Sequence, residues 1–145
     1  ESNLGEFATV YMDERGLVIS LNEVLLFQTG SAEVNTKGQT VLKKIGDTIE
    51  ALPNYVVVEG FTDNVPINTF KYSSNWELAA GRSINVTKLL ISAGFNAEKI
   101  SAKSYGEFRP SFENDTAAHR SKNRKVDIIV EKTQYSKLEP HKKTP

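Results

Sequence analysis

A layered α/β or α+β sandwich, with helices packed on a small mixed sheet, is the fold the sequence predicts. Short β-branched runs recur along the chain, helical patterns fall between them, and strands and helices take turns. A β-helix-β connection within one sheet is nearly always right-handed, which lays the intervening helices against a sheet face. One domain is expected for 145 residues, and 39% hydrophobic with 25% charged residues lies in the globular range.

The first strand is "GLVISL" from Gly16, a β-branched run after a charged turn, and "EVLLFQTGSAEVN" reads as the loop region behind it. Val41, Ile45, Ile49 and Leu52 then recur at helical spacing after Asn35 and Thr36, and Pro53 with Asn54 stops that pattern. "YVVVEG", from Tyr55 to Gly60, is a continuous apolar run of the kind covered on both faces. Ser74 with Glu77 forms a capping box, after which Ala79, Ser83, Val86 and Leu90 mark one face of a second helix that Gly94 can end. "KISAKSYG" supplies a third strand and "DTAAHRS" a short helix. "RKVDIIVEK" is a last strand, placed antiparallel, in which Val126, Ile128 and Val130 alternate. Residues 1–16 are expected to form a linker or arm, with a strand as an open alternative, residues 17–132 the domain, and residues 133–145 a flexible tail.

Eighteen basic residues balance eighteen acidic ones, so no overall field draws the chain onto nucleic acid. The absence of cysteine excludes disulfides and thiolate chemistry and fits an extracytoplasmic compartment. No stretch reaches the about 20 apolar residues of a membrane helix.

The stretch "GFTDNVPINTFKYSSNWELAAGRS" concentrates the candidate chemistry. Asp63 falls at the carboxyl end of the second strand, where α/β folds gather ligands. Arg82 lies on the flank of the helix stripe and could point toward Asp63, and Arg124 opens the last strand. An acid with one or two arginines suits a zwitterion, the carboxylate taking an ammonium and the guanidinium fork a carboxylate. The alternative is ordinary turn chemistry and a surface ion pair, the commoner meaning of these residue types. Trp76, Phe27, Phe70 and Tyr72 are read as core.

Catalysis has little to build on, because the two histidines, His119 and His141, fall in a short helix and in the tail. No metal is assigned to His119, Glu113 and Asp115, whose spacing matches no ligand motif, and no cofactor is expected, since the glycine-rich phosphate motifs are missing.

"LLFQTGSAEV", "VEGFTDNVPI", "SNWELAAGRS" and "NRKVDIIV" occur in this order, and together they resemble the OmpA-like peptidoglycan-binding domain. The likeness runs over residues 17–131 and is to the form found in flagellar motor stator B subunits, because "VPINTFKYSSNWEL" is longer than the usual segment there. It implies a β-α-β-α-β-(α)-β order and non-catalytic binding of the diaminopimelate of a peptidoglycan stem peptide by Asp63 and Arg82. Thr62 and Asn64 would flank the acid, Leu78 and Phe27 line the pocket, and Asn123 with Arg124 complete it. Phe61 stands where histidine is common, Ala79 and Gly81 where serine and alanine are usual, and Lys125 replaces a second arginine. The resemblance further implies the extracytoplasmic part of a single-pass membrane protein, a homodimer, and a stator A subunit reached through a membrane helix outside this sequence. An outer-membrane or lipoprotein wall anchor of the same fold, a peptidoglycan hydrolase and a pure interaction module are the alternatives.

Overall fold

The computed structural model describes residues 7–142. Its elements are β1 (Ala8–Met12), β2 (Gly16–Asn22), α1 (Glu23–Leu26), α2 (Thr36–Ile49), β3 (Val56–Phe61), α3 (Asn75–Ser92), β4 (Ile100–Gly106), α4 (Ala117–Asn123), β5 (Lys125–Glu131) and α5 (Thr133–Ser136). The strands form one mixed sheet in the order β1-β2-β5-β3-β4. Only β3 and β4 run parallel, as the α3 crossover between them requires, whereas β5 is antiparallel to both β2 and β3.

The predicted elements form where their patterns place them, except that α2 ends at Ile49 and leaves Leu52 outside the helix and exposed. The Asn35 side chain accepts from Gly38 N at 2.7 Å and starts α2, and the Ser74 hydroxyl accepts from Trp76 N at 3.2 Å and starts α3. Ala79, Ser83, Val86 and Leu90 are buried along α3. Val56 and Val58 of β3 and Val126, Ile128 and Val130 of β5 share the core with Leu42 and Ile49 of α2 and Val86 and Leu90 of α3. Gly60 sits where α3 crosses β3, and a Cβ there would collide with the Ala79 carbonyl. That close approach sets the start of α3 directly behind the end of β3.

Several expectations are corrected. Within residues 1–16 the strand alternative holds rather than the linker or arm: Ala8–Met12 pairs in register with β2 as an edge strand, while residues 1–6 lie outside the described part. Val10 and Met12 stay exposed, so no burial period marks this strand in the sequence. Within the segment expected as a loop, Glu23–Leu26 makes a helical turn capped by Asn22, whose side chain accepts from Val24 N at 3.0 Å. In the expected tail, α5 docks through the Ser136 hydroxyl, which accepts from Tyr55 N at 3.0 Å; residues 143–145 are not described. Trp76 is half exposed against Phe108, and Phe70 is fully exposed, so neither is core. Phe27 is buried and Tyr72 half-buried.

Candidate functional site

At the end of β3 the chain turns sharply and holds itself there. Thr62 N donates to Gly106 O at 2.9 Å, and the Thr62 hydroxyl donates to the Asp63 carbonyl at 2.8 Å. The Asp63 carboxylate accepts from Val65 N at 3.0 Å through Oδ1, an Asx-type turn that aims its other oxygen away from the loop. The Asn75 side chain, one residue into α3, donates to the Val65 carbonyl at 3.0 Å and ties this turn to the helix start.

The second wall comes from the junction of β2 with α1 and of α4 with β5. Asn22 pairs with Lys125 in the sheet, and Glu23 N donates to Arg124 O at 2.8 Å. Glu23 and Arg124 are thereby brought side by side across 101 residues of sequence, with Arg124 Nε donating to Glu23 Oε1 at 2.8 Å. Arg124 Nη1 donates to Asp63 Oδ2 at 2.7 Å. Arg82 reaches Glu23 from α3, with Nη2 at 2.8 Å from Oε2. Four charges therefore alternate in a row: Asp63, Arg124, Glu23, Arg82.

Arg82 is only 1% exposed. Its Nε donates to Ser31 O at 2.8 Å, its Nη2 to Gln28 O at 3.2 Å, and its guanidinium lies 4.6 Å from the centre of the Phe27 ring. Burial lowers its pKa, with Glu23 opposing. For Arg124 burial also pulls downward, but the hydrogen bonds to Asp63 and Glu23 outweigh it and the net shift is upward. Both remain cations at neutral pH, since a guanidinium is not deprotonated in a protein. Among the described residues, Arg82 Nη1 and Arg124 Nη2 have no hydrogen-bond partner.

These groups open on a cavity of about 400 Å³. Asp63, Arg82 and Arg124 form its charged end with Glu23 and Thr62, while Val65, Pro66, Ile67 and Leu78 supply an apolar side. The predicted Asp63, Arg82, Thr62, Leu78 and Arg124 thus meet around one space. Arg82, expected to point toward Asp63, bonds to Glu23 instead, and the guanidinium on Asp63 is that of Arg124, the second arginine expected near this edge.

Three other candidates stand outside the lining. Asn64 is exposed on the loop. Phe27 lies beneath Arg82 and orients it rather than forming a wall. Asn123, 1% exposed, holds the loop before α4 by accepting from Ser111 N and Phe112 N at 2.9 and 3.0 Å and donating to Phe112 O and Asn114 Oδ1 at 2.8 and 2.9 Å. Glu23 is the residue that sequence reasoning missed. Asn22 as a cap followed by an acid in the first turn was the available signal. His119 is paired with Asp115 at 2.5 Å, away from the cavity, and no group of three potential metal ligands occurs among the described residues.

Residues 26–124 match the model of the OmpA family. The chain is 36% identical over 135 residues to the uncharacterized protein YtxE of Bacillus subtilis, covering 92% of this chain and 56% of that protein. It is 35% identical over 121 residues to Motility protein B of the same organism, covering 82% of this chain and 46% of that one. It therefore spans about half the length of these relatives. Among solved structures, the periplasmic domain of Helicobacter pylori MotB superposes with a TM-score of 0.83 at 31% identity, over 95% of this chain and 91% of that one. The cell wall anchor of the T6SS from Pseudomonas aeruginosa gives 0.82 at 29% identity, over 88% and 90%.

Proposed function

The chain belongs to the OmpA family, and from that membership and the alternating charges around its cavity we propose that it binds peptidoglycan without catalysis and anchors a flagellar motor stator to the cell wall. The observation that carries this reading is the Asp63–Arg124–Glu23–Arg82 row at one end of a cavity whose side is apolar. A zwitterionic amino-acid end is its chemical complement. The ligand's ammonium takes Asp63, and its carboxylate accepts from Arg82 Nη1 and Arg124 Nη2, the two guanidinium nitrogens without a partner among the described residues. Glu23 keeps both guanidinium planes oriented before the ligand arrives, so little ordering remains at binding. Leu78 and the Val65–Ile67 segment cover the methylene stem between the two charged ends.

Diaminopimelate in the peptidoglycan stem peptide carries such an end. Two charge-assisted contacts contribute about 1.5–3 kcal/mol each, offset by lost translational freedom, so one site binds in the ~μM to mM range. A wall polymer offers many such sites, and two linked domains gain ~10² or more in avidity. Weak single grips in a dimer therefore suffice for an anchor. The reading places the domain outside the cell membrane, joined through a membrane helix to a stator A subunit, so that ion-driven torque acts on the rotor.

Co-sedimentation with purified peptidoglycan tests it. The wild-type chain pellets with the wall, and Asp63→Ala and Arg124→Ala remain in solution. Undiminished binding by both variants would remove the site from the account.

A further inference from the structure

Helices α2 and α3 pack on one face of the sheet, and the opposite face carries a different chemistry. Because Val126, Ile128 and Val130 point into the core, β5 turns Lys125 and Asp127 to this opposite face. The register sets Phe61 of β3 beside Lys125 and Glu59 beside Asp127, with Lys103 of β4 on the far side of Glu59. Rings and cations then alternate across the strands. Lys125 Nζ lies 4.6 Å from the centre of the Phe61 ring, and Phe61 stacks on Tyr105 at 5.3 Å. The Arg109 guanidinium is 4.8 Å and Lys103 Nζ 5.9 Å from the Tyr105 ring, and Lys122 Nζ of α4 is 4.9 Å from the Phe112 ring.

A ring holds a cation in place and leaves its charge uncancelled. Among the described residues, Lys125 alone of these cations has a carboxylate partner, Asp127 at 2.9 Å, whereas Lys103, Arg109 and Lys122 are exposed and have none. The acids of the adjoining row lie beneath. Glu59 and Asp127 are each 2% exposed, and Glu59 is held by Arg15 at 2.7 Å. Lys122 and Lys125 also line a cavity of about 390 Å³ with the hydroxyl-bearing Thr9, Tyr11, Ser20 and Ser111. Among the described residues no carboxylate lines it, and it shares no residue with the cavity of Asp63 and Arg82.

We propose that this face binds a polyol phosphate polymer, a chain of alcohol units joined by phosphodiesters, with its phosphates on the ring-held cations and its hydroxyls in the cavity. Charge complementarity selects an anion, and the spacing of the cations selects a chain. Neighbouring strands are about 4.8 Å apart, so Lys125 on β5 and Lys103 on β4 stand roughly 10 Å apart across β3. One phosphate cannot touch both, and a polymer with repeated phosphates can. Single-stranded nucleic acid needs open ring faces on which to stack its bases, whereas Phe61 and Tyr105 stack on each other and carry cations. A bilayer is flat and cannot enter the cavity. Placing the polymer in the cell wall rests on the peptidoglycan reading of the other cavity.

Titrating the chain into fluorescently labelled poly(glycerol phosphate), followed by anisotropy, tests the proposal. The wild type is expected to bind, and to lose about tenfold or more in affinity between about 50 and 500 mM NaCl as the charges are screened. Arg109→Glu and Lys122→Glu should each weaken binding about tenfold, and the double variant about a hundredfold, since the two cations sit on separate rings. Asp63→Ala should bind the polymer as the wild type does. Both reversed side chains are exposed, so an unchanged melting temperature shows that the variants are folded, and Lys103→Glu repeats the test on a third cation. Absence of salt-sensitive binding by the wild type, or undiminished binding by the reversed variants, overturns the proposal. Equally tight binding of a single-stranded oligonucleotide, or of phosphatidylglycerol vesicles, overturns the choice of a polyol phosphate. A diaminopimelate stem peptide that fails to bind while the polymer still does overturns the clasp at Asp63 and leaves this face standing.

Discussion

Truncating Glu23 to alanine should cost far more than losing an ordinary surface acid. Its carboxylate is 2.8 Å from Arg82 Nη2 and 2.8 Å from Arg124 Nε. Without it, Arg82 keeps only the carbonyls of Ser31 and Gln28 and the Phe27 ring, all formally neutral, around a cation that is 1% exposed. Stranding a buried charge in this way costs about 3–5 kcal/mol. Arg124 adds little, because its side chain is 29% exposed and it retains Asp63; a pair screened by solvent contributes roughly 0–1 kcal/mol. A chain of this size loses about 2–4 °C of melting temperature per kcal/mol, so Glu23→Ala should melt roughly 6–20 °C lower. Urea titration followed by circular dichroism measures the free energy. Replacing both ends of the buried contact, as Glu23→Leu with Arg82→Leu, should recover much of the loss, since neither end then leaves an unpaired charge behind. A loss below about 1 kcal/mol in Glu23→Ala, or a double variant no more stable than the single one, would show that Arg82 does not depend on Glu23.

Two further outcomes follow from the packing and the titration of the fold. Burial, reinforced by Glu139 beside it, pushes Glu131 up to about 7. An acid whose folded pKa is raised binds its proton more tightly in the folded state, so its contribution is full below the ordinary glutamate range and is lost as pH rises through about 7. The melting temperature should decline over that interval, and Glu131→Gln should flatten the decline. At the crossing of α3 with β3, Gly60→Val forces the helix off the sheet, because even its Cβ meets the Ala79 carbonyl; a loss of about 1–3 kcal/mol in urea unfolding is expected.

The sheet and the two long helices were legible because burial imposes a period on their residues. Val126, Ile128 and Val130 alternate, and Ala79, Ser83, Val86 and Leu90 recur at helical spacing, since each set faces one core. β1 left no such trace, as its outward residues Val10 and Met12 are apolar yet exposed at an edge. Asp63 was legible from its place at a strand end, and Arg82 from its place on a helix flank. Their partners were not, because the contacts that choose them are long-range. Glu23 lies in a four-residue helical turn too short to show a period, and its neighbour Arg124 is 101 residues away. Asn123 and Arg124 are adjacent in sequence but face different tasks, one holding the loop at Ser111 and Phe112 and the other meeting Asp63. Phe70 resembled a core residue because aromatic side chains usually are buried, and only its placement on the outer loop shows otherwise.

The central claim is that this domain recognises both charges of a free amino-acid end. Calorimetric titration with two stem peptides, one containing diaminopimelate and one with lysine in its place, tests it most directly, since the two differ by a single side-chain carboxylate. If Arg82 Nη1 and Arg124 Nη2 take that group, the diaminopimelate peptide should bind at least about tenfold more tightly, the worth of one charge-assisted contact. Equal affinity for the two peptides would contradict the account.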